Sequence, residues 1–148
     1  MDIARTVETA TPLERVFPYL ADFTTASEWD PNTSKVERAE GDGGVGTVSS
    51  TTSSFAGREL VLNMKVVAYE PTHRIQFSSD DRNVAVLDTI TCEATETGGT
   101  RVTYSSHVTY RGVAILFAPF LRRSFERLFD SGAAGLKKAI DALGGNAA

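Results

Sequence analysis

One stretch near the end of this chain carries its only long helical period, and that stretch limits what the rest can be. Between residues 119 and 143, Leu121, Phe125, Leu128, Phe129, Leu136, Ile140 and Leu143 recur at helical spacing and share one stripe of an α-helix. Arg122, Arg123, Glu126, Arg127, Lys137, Lys138 and Asp141 fall largely off the stripe and form its solvated side. At about 1.5 Å per residue such a helix is roughly 37 Å long, so its apolar face needs a whole sheet as partner.

The preceding sequence supplies that sheet. Residues 2–8 alternate as a first strand. Thr11, Pro12 and Glu14 have the form of a capped helix start, and Val16, Phe17 and Leu20 continue a short helix over 12–21. Thr24 or Thr25 caps a second brief helix carrying Ala26 and Trp29, which Asp30-Pro31 stops. Strands are then expected at 35–39, 45–53, 58–69, 74–79, 84–95 and 100–110. The turns between them lie at 40–44, 55–57, 70–73, 80–83 and 98–99. Consecutive strands joined by tight turns pair antiparallel, which gives seven strands with two short helices between the first and second. The C-terminal helix is the element left to cover the sheet, and the class is α+β.

With 148 residues the chain is expected to form one domain, 1–148. Hydrophobic content of 41% against 23% charged residues confines expected disorder to a tail at 144–148. A net charge of −4 argues against nucleic acid as a partner. The apolar run 112–121, interrupted by Pro119, is about half the roughly twenty residues of a membrane span. The lone Cys92 excludes an internal disulfide, and no basic, apolar leader opens the chain, so a cytoplasmic protein is expected. Monomer and homodimer both stay open.

Four segments then resemble the START-like, or SRPBCC, superfamily, in its polyketide cyclase/dehydrase and lipid-transport branch. They are Ala10-Thr11-Pro12-Leu13-Glu14-Arg15-Val16-Phe17, Trp29 with Pro31, Val67-Ala68-Tyr69-Glu70-Pro71 leading into Arg74-Ile75, and Gly99-Thr100-Arg101-Val102-Thr103-Tyr104. The resemblance implies a Bet v 1-like helix-grip fold, a curved antiparallel sheet wrapped around the C-terminal helix, with a hydrophobic ligand pocket between them. It implies much less about chemistry, because the family includes carriers, sensors and aromatase/cyclases.

The candidate lining residues are Trp29, Phe55, Met64, Phe77, Val86, Asp88, Tyr104, Ser106, Tyr110, Phe117, Phe125 and Phe129, with Asn63 as a further polar candidate. Plain core packing is the competing reading for the helix aromatics, and a buried structural anchor for Trp29. Val102, Tyr104, Ser106, Val108 and Tyr110 share the expected inner face of their strand. Asp88 alternates with Val84, Val86, Ile90 and Cys92. If that face is inward, the carboxylate either pairs with a cation, for which Arg5 and Arg101 are candidates, or has its pKa raised. The opposite face of Ala85, Leu87, Thr89 and Thr91 is not polar enough to decide the direction. Gly132 and Gly135, costly inside a helix, suggest that backbone or ligand comes close there.

Should the protein be an enzyme, cyclisation and dehydration need a group that takes a proton beside a carbonyl and donors for the enolate oxygen; Asp88, Tyr104 and Arg82 are the guesses. The glycine-rich 41–46 segment lies between strands and reads as a turn rather than a phosphate loop. His73 and His107 read as exposed and Cys92 as a buried thiol, so neither a metal nor a cofactor is expected. The segment 111–119 is apolar for a loop and reads as a short helical turn closing the cavity, a lid, or a surface for a partner or for transient membrane contact. Three functions follow: binding of a small hydrophobic or aromatic ligand, lipid- or polyketide-like; an aromatase/cyclase or dehydrase; and a non-enzymatic interaction module using 113–120.

Overall fold

A computed structural model describes residues 1–145. Seven strands, β1 (Asp2–Thr9), β2 (Thr33–Glu40), β3 (Val48–Phe55), β4 (Arg58–Glu70), β5 (Arg74–Asp80), β6 (Val84–Ala94) and β7 (Thr100–Tyr110), form one antiparallel sheet. Its spatial order is β1-β7-β6-β5-β4-β3-β2, so every hairpin from β2 to β7 pairs neighbours in sequence and β1 closes against β7. Helices α1 (Leu13–Ala21) and α2 (Ala26–Trp29) carry the chain from one edge strand to the other, and the 28-residue α3 (Ala118–Gly145) lies in the concavity. This is the helix-grip arrangement expected from the sequence.

Local chemistry accounts for the departures. The β2–β3 loop is longer than expected: it spans 41–47, and β3 starts at Val48 rather than at 45. Gly41, Gly43 and Gly46 all have positive φ, and the Thr47 hydroxyl accepts from Gly43 N at 2.8 Å, which pins the loop shut. No capping box forms at α1. Pro12 occupies the cap without a side-chain bond, while Thr11 Oγ1 donates to the Ile140 carbonyl of α3 at 2.6 Å. Of the tail expected at 144–148, Gly144 and Gly145 are helical, and 146–148 lie outside the described residues.

Apolar alternation on both sheet and helices builds the core at one half of the concavity. Val16, Phe17 and Leu20 of α1 meet Ile75, Phe77, Ile90, Cys92 and Val102 of the sheet and Leu136 and Ile140 of α3, all fully buried. A bulge between Val66 and Ala68 switches the alternation of β4, so Tyr69 faces inward and meets Phe17 edge-on, ring centroids 5.9 Å apart.

Polar ties fasten α3 along the sheet. Arg5 Nε pairs with Asp130 at 2.7 Å, Thr9 with Asp141 at 2.6 Å, and Lys137 Nζ donates to the Glu8 carbonyl at 2.6 Å. From the other edge, Asn32 Nδ2 reaches Ser131 Oγ at 2.8 Å and the Leu128 carbonyl at 3.3 Å. Gly135 lets α2 seat directly on α3, since a Cβ there would overlap the Trp29 carbonyl oxygen. The close approach expected at the two helix glycines is thus by backbone at Gly135, whereas a Cβ at Gly132 would stand 3.7 Å from Asp30 Oδ1, an ordinary contact.

Candidate functional site

Beyond this core the concavity changes character at Asp88. Strand register sets Asp88 between Phe77 on β5 and Ser106 on β7, so its side chain shares the inner face with both. It is buried, and its Oδ2 accepts from the Tyr104 hydroxyl at 3.4 Å. Neither proposed cation reaches it: Arg5 is engaged with Asp130, and Arg101 lies between Glu8 and Glu93. Burial without a counter-ion pushes the Asp88 pKa from 3.8 up to about 6, opposed by hydrogen bonding to Ser106 and Tyr104 and reinforced by the negative charge of Asp30. The Tyr104 phenol is held well above its usual value, first by burial and then by Asp88 and Asp30.

Aromatic rings frame this pair. Phe129 stacks on Tyr104 with centroids 4.7 Å apart and planes within 8°, and Trp29 meets Tyr104 edge-on at 5.8 Å. Trp29 is thereby both a buried anchor and a wall of the region around Asp88. Phe77 is buried against Phe23 at 4.4 Å, and Met64 is buried beside the same core.

Exposure rises toward the other end of the concavity. Val86, Tyr110, Leu62, Leu121, Phe125 and Leu128 are only half-buried although they lie on the inner sheet face or the helix stripe, in contrast to the sealed residues around Ile90. That end of the concavity is bounded by the β3–β4 hairpin, the β5–β6 turn and the segment before α3, because Val84 pairs with Tyr110 and Phe55 with Arg58 there. Phe55 and Phe125 are in ring contact at that end, with centroids 4.5 Å apart.

Several expected residues stand elsewhere. Phe117 is exposed on a 3-10 helix, Gly112–Phe117, and does not line the interior. Arg82 is exposed in the β5–β6 turn, outside the strand that carries Asp88, and does not join the carboxylate. Asn63 is exposed because its neighbours Leu62 and Met64 take the inner positions. Tyr110 is half-buried and directs its hydroxyl to Met1 Sδ at 3.8 Å rather than toward Asp88.

Two polar residues escaped the sequence reading. Thr51 Oγ1 is buried on β3 with no hydrogen-bond partner, an orphan group facing the interior. Asp30 acts on Asp88 electrostatically while its own oxygens accept from Asn32 N at 2.9 Å and Thr33 Oγ1 at 2.8 Å. In β3 the run Val-Ser-Ser-Thr-Thr-Ser-Ser-Phe has no apolar alternation to indicate which hydroxyls turn inward; Asp30 had read only as a helix stop.

Outside the concavity, Cys92 is fully buried and burial raises its thiol pKa to about 12. His107 is exposed and bonded to Asp2 at 2.6 Å. Two open depressions lie elsewhere: about 270 Å³ on the far side of the sheet around Leu87, Thr89 and His107, and about 500 Å³ beside Thr11, Arg15 and Lys137. Among the described residues no three His, Cys, Asp or Glu side chains converge as a metal site, and no helix is long and apolar enough to cross a membrane.

Residues 1–141 match the family model described as polyketide cyclase/dehydrase and lipid transport. Among solved structures, an aromatase/cyclase from Streptomyces sp. R1128 superposes with a TM-score of 0.77 at 18% identity, over 97% of this chain and 92% of that one. A START superfamily protein from Mycobacterium smegmatis gives 0.79 at 14% identity, over 96% and 98%. A major latex-like protein from Panax ginseng gives 0.72 at 14%, over 94% and 96%. At such identities these structures speak for the fold alone. No curated protein sequence matches the chain significantly.

Proposed function

Because the chain belongs to the polyketide cyclase/dehydrase and lipid-transport family, we propose that it binds a small hydrophobic or aromatic molecule between the inner face of the sheet and α3. The observation that carries this reading is Asp88. A buried carboxyl without a cation costs folding stability, and the fold has no need of it, since an apolar residue would pack among Phe77, Tyr104 and Phe129 without that cost. A ligand with a hydroxyl or enol would use it. Tyr104, Ser106 and the orphan Thr51 hydroxyl offer further polar contacts on a mostly apolar wall, to which the half-buried Val86 and Phe125 belong.

Native mass spectrometry of protein purified from its source tests this. A co-purifying small molecule that is lost from Asp88→Asn and Tyr104→Phe supports the reading. Its repeated absence, together with no binding to aromatic polyketides or fatty acids in titration, refutes it.

A second reading, catalysis of polyketide cyclisation and dehydration, is favoured by the proximity of Asp88 and Tyr104 at 3.4 Å. With a pKa of about 6 the Asp88 carboxylate is ionised at neutral pH, yet basic enough to take a proton from carbon beside a carbonyl. Tyr104, neutral there, would donate to the enolate oxygen. After ring closure the proton on Asp88 passes to the new alkoxide; the regenerated carboxylate then takes a second proton from the carbon beside the carbonyl and gives it to the departing hydroxyl, which leaves as water while the C=C bond forms. Turnover of a poly-β-ketone surrogate that falls about a hundredfold or more in Asp88→Asn supports this reading; unchanged turnover in that variant removes it.

A further inference from the structure

The segment before α3 presents an apolar ridge that the fold leaves uncovered. Val113 is 66% exposed, Ile115 57%, Leu116 73%, Phe117 58% and Phe120 77%, within eight consecutive residues. Its conformation makes the ridge continuous. In the 3-10 helix Gly112–Phe117, residues three apart align, so Val113 stands over Leu116, and Phe117 leads into Phe120 on the first turn of α3. Singly exposed apolar residues are ordinary, but a contiguous patch of five marks a contact surface.

Charge distinguishes the possible occupants. Residues 111–128 contain Arg111, Arg122, Arg123 and Arg127 against the single acid Glu126, in a chain whose net charge is −4. Arg111 pairs with Asp80 and Arg122 with Glu126, while among the described residues Arg123 and Arg127 enter no ion pair. The amino end of α3, with no acidic residue in its first turn, adds its positive dipole at the same place. The ridge is therefore the positive end of an otherwise acidic molecule. A second copy of the chain meeting this face about a twofold axis would set arginines against arginines. An interface of anionic headgroups over acyl chains matches both the charge and the apolar crest, and it would repel the acidic remainder of the molecule, which orients the approach.

We infer that the protein docks on anionic lipid surfaces through residues 113–120, with Leu116, Phe117 and Phe120 entering the headgroup region and Arg122, Arg123 and Arg127 lying against phosphates. The same segment follows the end of β7 directly, so docking turns that end of the sheet toward the lipid. The docking itself needs no interior ligand and stands apart from the proposed function.

Flotation with vesicles of phosphatidylcholine, with and without about one-third phosphatidylglycerol, tests the inference. Binding is expected to the anionic vesicles, to weaken as salt is raised, and to fall about tenfold or more in Leu116→Ser/Phe120→Ser and in Arg123→Gln/Arg127→Gln. These residues are exposed, and unchanged thermal melts would show that the variants fold. Binding that is equal for neutral and anionic vesicles, or unaffected by either double variant, overturns it. So does absence of vesicle binding with a wild-type dimer that the Leu116→Ser/Phe120→Ser variant dissociates, which would make the ridge a self-association surface. Ligand binding measured on the same variants separates this outcome from failure of the interior site.

Discussion

Replacing Asp88 by asparagine tests the centre of the site through stability alone. In the folded chain the carboxyl pKa is about 6 against 3.8 for the free group. The sign follows from linkage. Between those values the folded state holds a proton that the unfolded state has released, so stability falls as pH rises through that window. Above about pH 6 both states are ionised, and the folded state carries the whole cost of a buried charge, ~3 kcal/mol at about 1.4 kcal/mol per pH unit. Asparagine has nearly the same shape, never ionises, and still bonds to Tyr104 and Ser106. Urea denaturation of wild type and Asp88→Asn from pH 4 to pH 7.5 should therefore give curves that nearly coincide at the acid end and separate by about 3 kcal/mol, variant more stable, at the upper end. Comparing the two proteins cancels other titrations, such as those of Asp2 and Asp141, whose pKa values are lowered by His107 and Thr9. A difference that stays constant with pH, or a variant less stable at pH 7.5, would refute the picture of an uncompensated buried carboxylate.

Other substitutions probe the packing and the thiol. Gly135→Ala should lower stability by about 2 kcal/mol or more in denaturant unfolding, since the new Cβ overlaps the Trp29 carbonyl, whereas Gly132→Ala should raise it by up to about 1 kcal/mol through helix propensity. Phe129→Ala should cost about 3–5 kcal/mol, as expected of a buried ring stacked on Tyr104. Phe125→Ala, half-buried against Phe55, should cost roughly half as much, and equal losses at the two sites would contradict the difference in burial between the two rings. Cys92 should resist thiol reagents at pH 8 in the native protein and react only on unfolding; rapid native labelling would contradict its burial.

Much of the fold was legible because its signals are local. The stripe on α3, the turn residues between strands and the Pro12 start of α1 each relate residues a few positions apart, and the observed elements follow them within a few residues. Errors arose where a side chain chose a distant partner. Thr11, read as a helix cap, bonds to the Ile140 carbonyl, and Arg101, one of two candidate cations for an inward Asp88, is held by Glu8 and Glu93, which leaves the alternative of a raised pKa. The site was legible only in part. Tyr104 and Ser106 followed from the alternation of β7, but both faces of β6 are apolar enough to be buried, and Thr51 sits in a strand of hydroxyls with no period at all.

Sequence alone determined that a long amphipathic helix needed a sheet, that seven strands would supply it, and that Leu136, Ile140 and Leu143 on its stripe would pack against that sheet, the last of them at the core's edge, since apolar period and turn chemistry are properties of neighbouring residues. Only the tertiary structure decided that Asp88 lies inward without a cation, that backbone rather than ligand fills the space at Gly135, and that Phe117 faces outward. Each of those depends on which groups meet across the sheet and helix, where Arg5 finds Asp130 and Trp29 finds Gly135, and hydrophobic period carries no record of such pairings.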